Sequence, residues 1–298
     1  MSFLSTPRMA IRTPHRVVEL GGRTRLMGIL NMTLDSFSDG GRFVTGPAGG
    51  IELDAAVAAA RRMAEDGAEF IDIGGESTRP GSREASPDEQ CRRVIPVIEA
   101  IRAAGIDAAI SIDTRSAGVA DAALAAGADI VNDISALRHD PRMAEVCARR
   151  GAAVILMHMQ GTPETMQVNP TYSDVVAEVA DFLRERVDAA SAAGIGRDRL
   201  LIDPGIGFGK THEHNLALLR HIDALHALQS PVIVGPSRKA FLGAIVGETD
   251  PARRDLATAA TVALCAAAGV QIVRVHNAAM MKQVTSVCTA VLGEGNLP

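Results

Sequence analysis

Residues 25–31 read RLMGILN, an apolar run that stops at a polar side chain, and seven similar runs follow it along the chain. A parallel strand covered by helices on its outer face reads as a continuous apolar run, because neither of its faces meets water. Ala-rich segments with helical spacing separate the runs. The eight runs lead to the polar residues Asn31, Glu76, Asp113, Asn132, His158, Asp203, Ser237 and His276.

Eight strand–helix units predict an α/β fold, a (β/α)8 TIM barrel, which typically needs roughly 250 residues. The active site of such a barrel lies at the C-terminal ends of its strands, so the polar residues that end the runs should converge there. Two apolar stretches flank Gly21-Gly22 within residues 15–30 and predict an N-terminal hairpin that plugs the bottom of the barrel. We expect residues 1–298 to form one catalytic domain, with residues 1–14 as a flexible N-terminal tail.

The composition describes an aliphatic protein without a strong charge bias. Hydrophobic residues make up 47% of the chain and aromatic residues only 3%, so the core must be built from aliphatic side chains. A net charge of −5 with both signs interspersed gives no electrostatic reason to expect nucleic acid or an anionic membrane as a partner. No stretch is long enough to span a membrane, and the four cysteines show no metal or redox spacing. We therefore expect a cytoplasmic enzyme.

The last run carries two ionisable residues, Arg274 and His276, at strand spacing. Residues two apart on a strand share a face, and Val273 and Val275 take the outer face that helices cover. Arg274 and His276 are therefore expected to point into the barrel. A buried Arg needs either a carboxylate partner or a bound anion. Both interpretations remain open, and the planar guanidinium suits an anion site well.

Asp113, Asn132 and Asp203 end three further strands in the same way. Each of them could simply cap a helix or a loop. Together they form a hydrogen-bonding set that suits a flat heterocycle rich in donors, since carboxylates accept from N–H groups and an amide both donates and accepts. Met157 and Phe208 follow nearby strands and are expected to form apolar walls of such a pocket.

The seventh run ends in Gly-Pro-Ser-Arg-Lys, where these barrels commonly bind phosphate. We expect Ser237 and Lys239 to face the pocket, and Arg238 between them to be a solvated surface residue. His158 has no nearby Cys or acid at metal spacing, so a hydrogen-bonded histidine at a strand end is the preferred interpretation.

Two loops, after the first and second runs, are long and rich in Gly, Ser and Thr. They span residues 31–50 and 74–82. Mobile loops above the C-terminal face of a barrel commonly act as lids that exclude water, although plain surface turns would have a similar composition.

With these residues in view, the chain resembles the dihydropteroate synthase family. The resemblance runs from about Arg25 to the last helix and rests on eight motifs that occur in order. They are GILNMTLDSFSDGG (28–41), GGESTRPG (74–81), SIDTR (111–115), ADIVNDIS (128–135), MHMQGTPETMQ (157–167), DPGIGFGKTHEHNL (203–216), GPSRKAFLG (235–243) and RVH (274–276).

The resemblance implies that 6-hydroxymethyl-7,8-dihydropterin pyrophosphate reacts with p-aminobenzoate to give 7,8-dihydropteroate and pyrophosphate, with Mg²⁺ as cofactor. It also implies a homodimer. The residues that match the family's pterin site are Asp113, Asn132, Met157, Asp203, Phe208 and Lys239. Those that match its pyrophosphate site are Asn31, Arg79, Arg274 and His276, and Asn31 would also hold the Mg²⁺. Those that match its p-aminobenzoate site are Phe37, Thr78, Pro80 and Ser237. Catalysis would rest on Asp35, Lys239, Arg274 and His276.

Two positions depart from the family pattern. Leu34 replaces a Pro in the first loop, which removes a restraint on φ, and Asn277 stands where Asp commonly follows the RVH motif. Two alternative functions share the pterin-binding barrel: a methyltetrahydrofolate-dependent methyltransferase that acts on a corrinoid, and a non-catalytic pterin-binding homologue. The first expels no pyrophosphate, so it does not account for Arg274 and His276.

Overall fold

The computed structural model describes residues 6–33, 43–45, 50–77 and 85–293. Within these residues, eight parallel strands form the central sheet: β3 (Arg25–Asn31), β6 (Ala68–Gly74), β7 (Ala109–Asp113), β8 (Ile130–Asp133), β9 (Ala153–Met157), β10 (Leu200–Asp203), β11 (Ile233–Val234) and β12 (Ile272–Val275). Their order in the sheet is β10-β9-β8-β7-β6-β3-β12-β11. A parallel bridge between Ile202 and Val232 joins the two ends of the sheet. The predicted (β/α)8 barrel is therefore confirmed.

Helices surround the strands. They are α1 (Leu53–Glu65), α2 (Pro87–Ala103), α3 (Ala117–Ala125), α4 (Met143–Arg150), α5 (Val175–Ala192), α6 (His212–Arg220), α7 (Ala240–Val246), α8 (Asp255–Ala267) and α9 (Ala278–Val291). Several begin at a polar cap; Ser86, for example, accepts from Glu89 N while the Glu89 side chain accepts from Ser86 N. None of the helices in the described part of the chain has the length and apolar character that a membrane-crossing helix requires.

Two short antiparallel pairs complete the strands: β1 (Met9–Arg12) with β2 (Val17–Leu20), and β4 (Val44–Thr45) with β5 (Gly50–Ile51). The first pair is the predicted hairpin, but it lies earlier in the chain than expected. Residues 9–12, assigned to a flexible tail, form β1, and the turn at residues 13–16 replaces the expected turn at Gly21-Gly22.

Burial and close approach explain this difference. Ile11 and Leu20 pack against the apolar residues that fill the lower barrel, so the hairpin covers the bottom of the barrel as predicted. Thr13 Oγ1 also donates to the buried Asp129 carboxylate at 3.0 Å. Gly21 has a φ of 101°, and a Cβ atom there would lie 2.5 Å from the carbonyl oxygen of Pro7. A glycine is therefore required at position 21, where the chain passes from the hairpin to the first barrel strand.

The barrel interior is layered, because every second residue of a strand points inward. The lowest layer is apolar and consists of Met27, Phe70, Ala109, Ile130, Ile155, Leu201, Ile233 and Ile272. Two residues further along the same strands lie Ile29, Asp72, Ser111, Asn132, Met157, Asp203, Gly235 and Arg274. The interior therefore changes from apolar to polar towards the C-terminal ends of the strands, and the candidate site lies there.

Candidate active site

A cavity of about 490 Å³ opens at the C-terminal ends of the strands. The structure brings together every predicted site residue that it describes: Asn31, Asp113, Asn132, Met157, Asp203, Phe208, Ser237, Lys239, Arg274 and His276 all line this cavity. Five predicted site residues, Asp35, Phe37, Thr78, Arg79 and Pro80, lie outside the described residues.

Arg274 lies at the centre of a charged network inside the barrel. Its Nε donates to Asp72 Oδ2 at 2.6 Å, and its Nη2 donates to Asp113 Oδ2 at 3.2 Å. Of the two interpretations left open for Arg274, the structure therefore shows the carboxylate partners. The side chain is still 22% exposed and lines the cavity, so it can also face an anion bound there.

Asp72 belongs to this network, although it is not among the site residues predicted from the sequence. Its carboxylate is fully buried, and Oδ2 also accepts from Asn132 Nδ2 at 3.2 Å. A signal for it exists in the sequence: Asp72 interrupts the apolar run FIDIGG, two residues after the inward-pointing Phe70. The alternation that identified Arg274 identifies Asp72 equally well.

Asp113 and Asp203 both have a pKa above the usual range for an Asp carboxyl group. Burial raises the pKa of Asp113 to about 7, with a further rise from the neighbouring Asp72 charge and an opposing effect from Arg274. Burial also raises the pKa of Asp203 to about 6, although Gly205 N donates to its Oδ1 at 2.7 Å. Both groups can therefore accept N–H groups of a ligand as carboxylates above these values.

An apolar wall flanks these polar groups. Met157 packs with Ile134, Met159 and Met166, and Phe208 lies against this cluster. Lys239 Nζ lies 4.2 Å from the centroid of the Phe208 ring, a distance typical of a cation–π contact. The combination suits a flat heterocycle held between apolar surfaces with donors and acceptors at its edge.

The loop that carries Phe208 is anchored by Lys210. Its ammonium group donates to the carbonyl oxygen of Phe208 at 3.0 Å and lies 2.9 Å from His158 Nδ1. Burial lowers the pKa of His158 to about 3, so the ring is neutral and Nδ1 accepts from Lys210. His158 is thus a hydrogen-bonded strand-end histidine, as the sequence analysis preferred.

Ser237 fixes the orientation of His276. The hydroxyl oxygen of Ser237 accepts from the backbone N–H of His276 at 3.2 Å and lies 2.9 Å from His276 Nδ1. Burial, reinforced by Arg238 and Arg274, lowers the pKa of His276 to about 3. In the tautomer in which Nδ1 accepts the Ser237 proton, the ring proton lies on Nε2, from which His276 can donate to a ligand in the cavity.

Arg238 is not the solvated surface residue that the sequence predicted. Its Nε donates to Asp255 Oδ1 at 2.7 Å and its Nη2 donates to Asp255 Oδ2 at 3.0 Å, a largely buried, bidentate ion pair. The backbone at Arg238 has a φ of 58°, which turns this residue away from the strand direction and onto α8. Asn277 donates to the same Asp255 carboxylate at 2.9 Å and caps α9 by accepting from Met280 N.

No group of three or more His, Cys, Asp or Glu side chains in the described ranges is arranged to hold a metal ion. Asn31 ends β3 within the cavity and contributes an amide oxygen there. Any metal held at this position would therefore need most of its ligands from a substrate or from solvent.

The chain is similar to a known protein family and to characterised relatives. A family model described as a pterin-binding enzyme matches residues 27–276. The dihydropteroate synthase of Synechocystis sp. is 46% identical to this chain over 271 residues, which cover 91% of each protein.

Two solved structures are also similar. A Yersinia pestis dihydropteroate synthase in complex with a sulfonamide drug is 40% identical, with a TM-score of 0.89, and the match covers 96% of this chain and 100% of that one. A Xanthomonas albilineans dihydropteroate synthase with 4-aminobenzoic acid is 42% identical, with a TM-score of 0.86, and the match covers 99% of this chain and 100% of that one.

Proposed function

This chain belongs to the family of pterin-binding enzymes, and from that premise we propose that it acts as a dihydropteroate synthase. The enzyme is a transferase of folate biosynthesis that joins 6-hydroxymethyl-7,8-dihydropterin pyrophosphate to p-aminobenzoate. One observation carries the proposal: a single cavity combines a hydrogen-bonding set suited to a heterocycle with an Arg and a His suited to a phosphate group.

Asp113, Asn132 and Asp203 bind the pterin edge in this proposal. Carboxylates accept the ring and amino N–H groups of a pterin, and an amide can accept or donate at its neighbouring positions. Phe208 and Met157 cover the faces of the ring, while Lys239, stacked on Phe208, adds a donor beside it. This arrangement supports the pterin assignments drawn from the family resemblance.

Arg274 and His276 act on the leaving pyrophosphate. As the bond between the exocyclic methylene and the pyrophosphate oxygen breaks, the pterin nitrogens delocalise the positive charge that develops on the methylene. Arg274 then stabilises the growing negative charge of the pyrophosphate, and His276 donates a hydrogen bond to it from Nε2. The aniline nitrogen of p-aminobenzoate forms the new bond to the methylene and loses a proton, giving 7,8-dihydropteroate. The substitution is therefore largely dissociative and needs no protein nucleophile.

The donor chemistry at Asn31 fits a Mg²⁺ ion that is shared with the substrate. Mg²⁺ prefers oxygen ligands and usually binds through one or two protein groups together with phosphate oxygens and water. Asn31 would supply its amide oxygen, and Mg²⁺ when bound supplies further neutralisation of the pyrophosphate charge. Titration calorimetry with MgCl₂ in the presence of pyrophosphate checks this assignment: Asn31→Ala should weaken Mg²⁺ uptake, and unchanged uptake would contradict it.

The remaining assignments rest on the family resemblance. Ser237, Phe37, Thr78 and Pro80 form the p-aminobenzoate site, Arg79 adds a contact to the pyrophosphate, and Asp35 stabilises the cation. Ser237 lines the cavity and its hydroxyl oxygen lies 2.9 Å from His276 Nδ1, which supports a p-aminobenzoate site beside the leaving group.

An exposed apolar surface supports the proposed homodimer, and the cytoplasm stays the expected location. Helices α7, α8 and α9 expose large apolar side chains, and Leu256 and Val291 are 79% and 68% exposed. The others on these helices are Ile245, Val246, Leu264, Met280 and Val287. Such clustered apolar side chains commonly mark an interface between protein chains. Sedimentation analysis should give a dimer that Leu256→Glu converts to a monomer, whereas a monomeric wild-type protein would contradict the proposal.

The function is tested by pyrophosphate release from the pterin pyrophosphate and Mg²⁺, with and without p-aminobenzoate. Release that depends on p-aminobenzoate and yields 7,8-dihydropteroate supports the synthase. Pterin binding without condensation would instead indicate a non-catalytic homologue. Methyl transfer from methyltetrahydrofolate to a corrinoid would indicate the alternative enzyme.

A further inference from the structure

Asp72 lies in the barrel interior, between the strands that carry the two ends of the site. In the sheet order β8-β7-β6-β3-β12, its strand β6 is two strands from β8, which carries Asn132, and two strands from β12, which carries Arg274. The Asp72 side chain is 0% exposed. A carboxylate taken fully out of water must be paired and hydrogen-bonded to be tolerated, so its partners are informative.

One oxygen of the Asp72 carboxylate accepts both of its side-chain hydrogen bonds. Oδ2 accepts from Arg274 Nε at 2.6 Å and from Asn132 Nδ2 at 3.2 Å, while Oδ1 has no hydrogen-bond partner among the described residues. A single atom on β6 therefore joins a side chain from each flank of the barrel.

These contacts fix how both partners face the cavity. A carboxylate only accepts hydrogen bonds, so Asn132 must turn its NH₂ group towards Asp72, which leaves its carbonyl oxygen to face other groups. Arg274 is likewise held at Nε, and its Nη2 bond to Asp113 sets the plane of the guanidinium group. Without Asp72, the Asn132 amide would lose the contact that orients its NH₂ group, and Arg274 would keep only its bond to Asp113.

We propose that Asp72 is a positioning residue that couples the pterin end of the site to the leaving-group end, by holding Asn132 and Arg274 with one carboxylate oxygen. The inference rests on the proposed function, because it concerns the groups that bind the pterin and the pyrophosphate. Asp72 itself is fully buried and does not line the cavity, so it acts through its two partners. It makes the pterin-binding amide and the pyrophosphate-binding guanidinium adopt compatible orientations before the substrate arrives.

Exchanging the amide and the carboxylate between positions 132 and 72 tests the contact between Asn132 and Asp72. Asn132→Asp replaces the N–H donor to Asp72 with a second carboxylate. At a pH where both carboxylates are ionised, their repulsion should turn the new side chain away from its position and weaken binding of 6-hydroxymethyl-7,8-dihydropterin pyrophosphate by roughly 100-fold. Adding Asp72→Asn restores one amide and one carboxylate in exchanged positions. We expect this double variant to regain at least about ten-fold of the lost affinity, the size of one good hydrogen bond.

Asp129 offers a matched control at the other end of the barrel. It is also 0% exposed and paired with an arginine, Arg102, but it contacts the N-terminal hairpin through Thr13. Asp129→Asn added to Asn132→Asp should restore no pterin affinity. Equal recovery with Asp129→Asn and Asp72→Asn, or no recovery with either, would overturn the proposal.

The single variant Asp72→Asn gives a kinetic signature. We expect kcat to fall by about ten-fold or more and the Kd of the pterin pyrophosphate to rise, while the KM of p-aminobenzoate stays within about two-fold. A general loss of structure would affect both substrates alike, so equal losses for the two would contradict a positioning role.

A measurement on the wild-type protein avoids any dependence on the folding of a variant. The Arg274 Nε–H resonance, assigned by its loss in Arg274→Lys, should exchange with solvent far more slowly than that of the exposed Arg184. Equal exchange rates would overturn the proposal. This exchange and the calorimetric affinities do not require turnover, so the role of Asp72 can fail or hold independently of whether the protein makes dihydropteroate.

Discussion

Replacing Lys210 with Met should change how the stability of this protein depends on pH. Lys210 is buried, with its ammonium group bonded to His158 and to the carbonyl oxygen of Phe208. Burial lowers its pKa from 10.5 to about 7. Between these two values the unfolded chain holds a proton that the folded chain has released. Because the unfolded state binds more protons in this window, the stability contributed by Lys210 rises with pH across it.

The size of the effect follows from the pKa difference. A difference of one bound proton between the unfolded and folded states, kept over two pH units, changes the free energy of unfolding by about 2.7 kcal/mol. Because folded Lys210 is still partly protonated at pH 7, the expected change between pH 7 and pH 9 is about 2 kcal/mol. Other groups also contribute to the pH dependence in this range. The thiols of Cys147 and Cys265 ionise there only in the unfolded chain, because burial raises their pKa to about 12 in the folded protein. These groups are common to the wild type and Lys210→Met, so they cancel in the difference between the two proteins, which reports Lys210 together with its charge effect on Asp203 and His158.

Urea unfolding of both proteins at pH 7 and pH 9 measures this difference. From pH 7 to pH 9, the free energy of unfolding of the wild type should increase by about 2 kcal/mol more than that of Lys210→Met. The variant should also bind the pterin more weakly, because the loop that carries Phe208 loses its anchor. An identical pH dependence for the two proteins would refute the assignment of a buried, readily deprotonated Lys210.

Three further outcomes are expected. Arg274→Ala should lower kcat by roughly 100-fold or more with a much smaller loss of pterin affinity, because its charge is needed most as pyrophosphate departs; equal losses in stopped-flow and calorimetric measurements would argue against this role. Ser237→Ala should lower kcat/KM by about ten-fold, and ¹⁵N spectra should show that His276 no longer favours the Nε2–H tautomer; a wild-type spectrum would contradict the assignment. Since burial raises the Asp113 pKa to about 7 and pterin N–H groups require its carboxylate form, kcat/KM for the pterin substrate should fall as pH drops below about 7. Asp113→Asn should abolish that acid limb, and its persistence would assign the limb to another group.

The barrel and much of its cavity were predictable because strand alternation leaves a clear record in sequence. Apolar runs that stop at Asn31, Asp113 and Asp203 identify both the strands and the end at which the cavity opens. Arg274 and His276 could be assigned to the interior because Val273 and Val275 occupy the opposite face. These inferences depend only on residues that are close to one another in sequence.

Other features depend on which distant groups meet in space. The partner of Arg238 is Asp255 on a later helix, and a backbone turn at Arg238 determines that they meet. Lys210 donates to the backbone carbonyl oxygen of Phe208. Every residue has such an oxygen, so the residue types do not identify this contact. Asp72 lies in the middle of the apolar run FIDIGG, so a pattern built on the polar residues that end each run does not identify it.

A crystal structure of this protein with 6-hydroxymethyl-7,8-dihydropterin pyrophosphate, Mg²⁺ and a sulfonamide would test the proposed reaction at the atoms that carry it. We expect the pterin edge on Asp113, Asn132 and Asp203, and the pyrophosphate within hydrogen-bond distance of Arg274 and His276 Nε2. A pterin ring bound outside this cavity, or a pyrophosphate remote from both Arg274 and His276, would contradict the account.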